Sequence, residues 1–141
     1  MENATVTAIT VSTTVNAPLD KVWNMFNSPD HVTKWCFASD DWHTPYASSD
    51  FVIGGKSKIR MEAKDGSFGF DFGWTFDIII PLKLVSYTME DGRKCEVSFQ
   101  ETGEGVSIIE KFDPEQENPR EMQQAGWQAI LDNFKKYAES N

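Results

Sequence analysis

Every second residue from Phe68 to Phe76 is aromatic, and the residues between them are glycine, aspartate or threonine. A period of two predicts a β-strand, because successive side chains of a strand point to opposite faces. One face of this strand therefore carries a row of rings, which either packs into a core or lines an apolar pocket. The aromatic row consists of Phe68, Phe70, Phe72, Trp74 and Phe76.

Similar alternation elsewhere predicts an antiparallel sheet. Asp65-Gly66 and Asp91-Gly92 are typical of the tight turns that join neighbouring antiparallel strands, so consecutive hairpins form a meander. The stretch from Cys36 to Ser49 shows no clear period and is predicted to be irregular. The predicted strands are Thr5–Val15, Phe51–Ile53, Lys56–Ala63, Phe68–Ile80, Leu82–Glu90, Lys94–Gln100 and Val106–Phe112.

Three prolines mark predicted helix starts, since proline costs little in the first turn of a helix. Pro18 opens one helix, and Ser28-Pro29 opens a second short one with Ser28 as its cap. Asn118-Pro119 opens a long helix, with Asn118 as its cap, that runs to about Ala138. Gly126 lies inside this long helix, where glycine costs about 1 kcal/mol relative to alanine. We expect it to allow a close approach to the backbone or to keep space between helix and sheet.

The composition restricts the function. The chain has 141 residues, 40% of them hydrophobic, which fits one domain over residues 1–141. Its net charge of −9 and sequence pI near 4.6 argue against nucleic acid and anionic membranes as partners. No apolar run has membrane-spanning length, so no membrane insertion is expected, and the first ten residues have no apolar targeting core. We expect a cytoplasmic protein in which Cys36 and Cys95 are free thiols.

Several polar residues are candidates for chemistry. Asp40, Asp41 and His43 cluster around Trp42, but their spacing fits no metal-ligand pattern, and an Asp-capped loop with Trp42 at a cavity edge is the structural alternative. Glu110 falls in step with an apolar row, so its carboxyl is either buried, with a partner or a raised pKa, or exposed at a strand end. No nucleophile elbow or phosphate loop occurs, and no catalytic residue, metal or cofactor is predicted.

Arg60 and Glu62 alternate with Ile59 and Met61, so the two charged residues share one face of a strand. If that face points outward, they are ordinary solvated residues. If the curvature of the sheet turns it inward, Arg60 and Glu62 become the polar anchors of the pocket.

Short motifs spread over nearly the whole chain resemble the START-like (Bet v 1-like, SRPBCC) superfamily, and within it the bacterial proteins related to the heat-shock-protein-90 ATPase activator. The resemblance implies an α+β helix-grip fold: a curved antiparallel sheet wrapped around a long C-terminal helix, with two short helices after the first strand and a cavity between sheet and helix. The motifs are Val15-Asn16-Ala17-Pro18, Val22-Trp23, Trp35, Asp50-Phe51, Gly54-Gly55, Arg60-Met61-Glu62, Asp65-Gly66, residues 38–45 and residues 126–134.

We therefore predict a domain that binds a small apolar or aromatic molecule in an aromatic-lined cavity, and a binding protein rather than an enzyme. One alternative is a protein-interaction module, which requires an exposed apolar patch; a protein partner or a second copy of the chain stays open. The other is a cyclase- or hydrolase-type enzyme that uses a cavity carboxylate. The predicted ligand-binding residues are Trp23, Trp35, Trp42, Arg60, Phe70, Phe72, Trp74, Glu110, Trp127 and Ile130.

Overall fold

Seven antiparallel strands form one curled sheet in the computed structural model, which describes residues 8–141. Residues 5–7 of the first predicted strand, and residues 1–7 of the predicted domain, lie outside this range. The elements in chain order are β1 (Ile9–Val15), α1 (Leu19–Asn27), α2 (Pro29–Trp35), β2 (Trp42–Ser49), β3 (Lys56–Ala63), β4 (Gly69–Ile80), β5 (Leu84–Met89), β6 (Lys94–Thr102), β7 (Gly105–Phe112) and α3 (Arg120–Ser140).

The strand order is β1-β7-β6-β5-β4-β3-β2, so β2 to β7 form the predicted meander and β1 returns to pair with β7. The half-barrel curls around α3, and α1 and α2 follow the first strand. The α+β helix-grip fold predicted from the sequence is confirmed. Among residues 8–141, no helix combines the length and the apolar character needed to cross a bilayer.

One strand differs from the prediction. Residues 42–49 form the edge strand β2 rather than an irregular stretch, because Pro45 is tolerated at a sheet edge and a bulge between His43 and Tyr46 interrupts the alternation. The predicted strand Phe51–Ile53 is instead a turn, in which the Gly55 N–H donates to the Val52 carbonyl at 2.8 Å.

Helix starts follow the prolines. Ser28 occupies the cap position of α2 as predicted, although its hydroxyl makes no capping hydrogen bond. The prediction of Asn118 as the cap of α3 is wrong. Asn118 precedes the cap position of α3, which Pro119 occupies. The Asn118 side-chain amide donates to Glu115 Oε2 at 3.3 Å instead. The buried amide of Gln123 ties this loop to the helix by donating to the carbonyls of Glu115 and Asn118.

Side chains of α3 hold the helix along the open edge of β1. They donate to alternate carbonyls of that strand, which have no neighbouring strand to accept from. This arrangement occupies an edge that would otherwise be free to pair with another chain. The four hydrogen bonds run from the side chains of α3 to backbone carbonyls: Arg120 to Ala8 (3.0 Å), Gln124 to Thr10 (3.2 Å), Gln128 to Ser12 (2.9 Å) and Lys135 to Thr14 (2.7 Å).

The C-terminal half of α3 packs tightly, and its N-terminal half does not. Leu131, Phe134 and Ala138 are fully buried. The ring of Phe134 lies 5.2 Å from that of Phe26 and 4.8 Å from that of Trp35, in edge-to-face geometry. Towards the N-terminus of α3, this packing gives way to a cavity.

Candidate functional site

An apolar cavity of about 390 Å³ lies between the inner face of the sheet and α3. The sheet contributes Ile59 and Met61 from β3 and four aromatic residues from β4. The helix contributes Gly126 and the side chains of Met122, Gln123, Trp127 and Ile130. Ligand pockets of proteins commonly have this size and apolar character. The aromatic residues of the lining from β4 and α3 are Phe70, Phe72, Trp74, Phe76 and Trp127.

The aromatic row of β4 serves as both core and lining. Phe76 is 4% exposed and packs in the core, whereas Phe70 at the other end is 40% exposed. Phe68 is 60% exposed and lies beyond the lining, against the rings of Trp42 and Phe70. The two alternatives drawn from the sequence therefore hold for different parts of one strand.

The cavity opens between the start of β4 and the start of α3. Phe70 and Met122 both line it and are 40% and 60% exposed, respectively. These two side chains mark a mouth through which a molecule can enter.

Gly126 faces this open space. A Cβ atom added there would have no heavy atom within 4 Å outside its own helical neighbourhood. The expected close approach of another group to the Gly126 backbone is therefore wrong, and the alternative, space between helix and sheet, agrees with the structure.

We expect Gly126→Ala to stabilise the protein by about 1 kcal/mol, because alanine favours the helix and its methyl group meets no neighbour. Urea denaturation of the variant and the parent measures the difference. A destabilised variant would contradict the open space described at this position.

Glu110 is the one acidic residue of the lining, and it is 7% exposed. Its register neighbours are the buried Val11 on β1 and Val97 on β6. Within residues 8–141, no hydrogen bond or ion pair reaches its carboxyl group. Burial raises the pKa of Glu110 to about 8, since water no longer solvates the charged form. Of the two alternatives drawn from the sequence, the structure therefore agrees with the buried one. The Glu110 carboxyl lies in the apolar row, has a raised pKa and has no partner within residues 8–141.

Other polar groups surround the same cavity. Burial, followed by the charge of Glu110, raises the pKa of Cys36 to about 12. Burial, then Cys95 and Glu110, raises the pKa of Tyr87 well above its usual range. The Trp74 Nε1–H and the Ser49 hydroxyl are buried and have no hydrogen-bond partner within residues 8–141. Unpaired buried polar groups of this kind are costly and rare in folded proteins.

Seven of the ten predicted site residues line the cavity. Trp35 is fixed in the wall by its indole N–H, which donates to the Met25 carbonyl at 3.0 Å. Trp127 stacks on Phe112 with ring centroids 3.7 Å apart. The seven are Trp35, Phe70, Phe72, Trp74, Glu110, Trp127 and Ile130.

The other three predicted residues lie elsewhere. Arg60 is opposite Asp71 on the outer face of the sheet, where its guanidinium pairs with Glu62 at 2.9 Å. The strand alternation keeps it outside, so it is not an anchor of the cavity. Trp23 packs against Phe99 on the far side of the core. Trp42 sits outside the lining, against Phe68 and Phe70.

The polar cluster before and within β2 stays outside the cavity. Asp41 accepts a hydrogen bond from the Ser39 hydroxyl at 2.5 Å, and its carbonyl accepts from the Lys64 N–H. His43 lies 3.7 Å from Glu62 on the neighbouring strand. In the described residues, no group of three or more potential ligands is arranged to hold a metal ion.

Many residues of the lining were not among the predicted site residues, and Tyr87 and Cys36 are the titratable ones among them. Tyr87 alternates with the buried Val85 and Met89, so the period of β5 could have revealed it. Cys36 follows the end of α2, so no helical or strand periodicity in the sequence could have assigned it to the lining.

Comparison with known proteins identifies the family. Residues 16–139 match the family described as Activator of Hsp90 ATPase homolog 1-like protein, or AHSA1. The chain belongs to the AHSA1 family. The superfamily resemblance drawn from the sequence is thereby confirmed. No curated protein matches the chain significantly.

Solved structures of other bacterial proteins share the fold. The solution structure of an AHSA1-like protein from Aeromonas hydrophila is 41% identical, with a TM-score of 0.89 over 94% of this chain and 92% of that one. A protein from Cytophaga hutchinsonii is 51% identical, with a TM-score of 0.81 over 95% and 93% of the two chains. A protein from Nitrosomonas europaea is 14% identical over 98% and 97% of the two chains, with a TM-score of 0.82, and shows the fold alone.

Proposed function

We propose that this AHSA1-family chain binds a small, largely apolar molecule in the cavity between its sheet and α3. The observation that carries the proposal is a cavity of about 390 Å³ with aromatic walls and an open mouth at Phe70 and Met122. Aromatic side chains give large contact areas and favourable ring packing to an apolar guest. The Glu110 carboxyl offers a polar contact to one end of that guest.

The test uses N-phenylnaphthylamine, an apolar fluorophore whose diarylamine nitrogen is uncharged at neutral pH. We expect saturable quenching of tryptophan fluorescence by this probe. Phe72→Ala should weaken its binding by about tenfold, a loss of about 1.4 kcal/mol, because it removes a ring from the wall.

Phe68→Ala is the matched control, since Phe68 belongs to the same aromatic row but lies outside the lining. Its affinity should equal that of the parent. No saturable binding to the parent, or equal weakening by the two substitutions, would contradict the cavity as the binding site.

A second candidate function is protein interaction. Ile78, Ile80 and Ile109 are 46%, 44% and 37% exposed on the outer face of the sheet. Exposed apolar side chains mark a docking surface where they form one contiguous patch. The cavity is the stronger basis, because it combines a volume of ligand size with aromatic walls and the Glu110 carboxyl.

The enzymatic alternative has one feature in its favour. Glu110 meets the requirement of a buried cavity carboxyl with a raised pKa. However, Asp40 and Asp41 are exposed and lie outside the cavity lining. The high pKa of Cys36 also leaves its thiol protonated and poorly nucleophilic. Binding is therefore the function that the lining supports best.

A further inference from the structure

Within residues 8–141, the cavity lining has an acidic group and no basic one. It comprises residues from all three helices and from six strands, and none of them is lysine, arginine or histidine. Glu110 is the one side chain of the lining that can carry a formal charge near neutral pH. An anionic guest would meet no counter-charge there, and it would approach a protein whose net charge is −9.

The titratable groups that sense Glu110 come from three elements around it. They are Cys36 at the end of α2, Tyr87 on β5 and Cys95 on β6, and the charge of Glu110 raises the pKa of each. None of the three can become positive. The ionised carboxyl therefore has no partner within residues 8–141, and burying an unpaired charge is strongly unfavourable.

Aromatic faces surround the same space. The Trp74 and Tyr87 rings lie 5.1 Å apart and tilt by 33°, and the Phe72 ring lies 5.5 Å from that of Trp74. All three rings line the cavity with Glu110. Electron-rich ring faces next to a carboxylate form the environment that stabilises an organic ammonium ion through cation–π contacts and charge pairing.

We propose that the cavity selects a hydrophobic organic amine, whose ammonium group pairs with the Glu110 carboxylate and whose apolar body lies against the rings of β4 and Trp127. This inference rests on the proposed function, because it names the class of the small molecule. The ammonium ion supplies the positive partner that the Glu110 carboxylate lacks within residues 8–141. A primary or secondary ammonium also donates hydrogen bonds to the carboxylate, which accepts none from the described residues.

The proposal implies that binding releases a proton. Below about pH 8, Glu110 of the free protein is mostly protonated, since burial raises its pKa to about 8. It must ionise to pair with an ammonium group, which itself stays charged because simple alkylamines titrate near pH 10. The affinity should therefore rise by about tenfold per pH unit below pH 8 and level off above it.

The test compares three ligands of one shape by isothermal titration calorimetry: naphthylethylamine, naphthylethanol and naphthaleneacetate. At about pH 8.5, we expect the amine to bind the parent at least about tenfold more tightly than the alcohol, and the acid to bind most weakly. Glu110→Gln should abolish the preference, so that the amine binds no more tightly than the alcohol, because glutamine keeps the shape and loses the charge that pairs with the ammonium group. Glu96→Gln removes an exposed carboxyl of β6 that lies outside the lining and should leave the preference unchanged.

Two outcomes would overturn the proposal. In the first, the parent binds the alcohol or the acid as tightly as the amine. In the second, the preference for the amine survives in Glu110→Gln. If N-phenylnaphthylamine still binds the parent in either case, the cavity remains a binding site for another class of molecule. If neither that probe nor any naphthyl ligand binds, the proposed function fails as well.

Discussion

The Glu110→Gln variant should gain stability relative to the parent as the pH rises. The folded pKa of Glu110 is about 8 and its ordinary value is 4.5. Between these values, the folded protein holds a proton that the unfolded chain releases. The contribution of Glu110 to the free energy of unfolding is therefore fully present below pH 4.5 and is lost as the pH rises to about 8. At about 1.4 kcal/mol per pKa unit, this loss amounts to about 3 kcal/mol between pH 5.5 and 8.5.

Glutamine does not ionise, so its own burial cost does not depend on pH. Urea denaturation at the two pH values gives the free energy of unfolding of each protein. The stability difference between variant and parent should grow by about 3 kcal/mol from the lower pH to the higher. The exposed-site control Glu96→Gln should show no such growth. A constant difference for Glu110→Gln would mean that the carboxyl is solvated.

The second large effect is expected at Phe134. Its ring is fully buried among Phe26 and Trp35 in the packed half of α3. Phe134→Ala should therefore reduce the free energy of unfolding by about 3–5 kcal/mol, because it removes apolar contact and leaves a void that the neighbours fill only in part.

Met122 provides the comparison on the same helix, since it is 60% exposed at the cavity mouth. Met122→Ala should change the free energy of unfolding by no more than about 0.5 kcal/mol. Urea denaturation at one pH measures both variants. Similar losses for the two would contradict the description of α3 as packed at its C-terminal half and open at its N-terminal half.

Periodicity and turn residues predicted most of the fold. The strand Lys56–Ala63 was predicted with the bounds that the structure gives to β3, and the glycine turns separate the later strands as expected. The prediction for residues 42–49 was wrong because Pro45 and the bulge interrupt the alternation of apolar and polar residues. The pairing of this strand with β3 is therefore evident only from the structure. The polar cover of β1 by α3 was missed for a related reason, since hydrogen bonds between distant segments leave no local period.

The candidate site was predictable where a residue shares a face with the aromatic or apolar rows. Phe70, Phe72, Trp74 and Glu110 follow from the alternation of β4 and β7. Trp23 and Trp42 were assigned to the cavity on residue type alone, yet the packing of α1 and the position of β2 direct them elsewhere. The sequence alone allows Arg60 to lie on either face of β3. Its pairing with Asp71 on β4 places it on the outer face of the sheet.

The central claim is that a small molecule occupies the interior between sheet and helix. Isoleucine δ1-methyl NMR tests it directly, because the chain has isoleucines in the lining, Ile59 and Ile130, and others exposed on the outer face, Ile78, Ile80 and Ile109. On titration with N-phenylnaphthylamine, we expect saturable shifts of the Ile59 and Ile130 methyl signals and little change in the outer three. Shifts confined to Ile78, Ile80 and Ile109 would contradict the cavity and favour an outer-face docking surface.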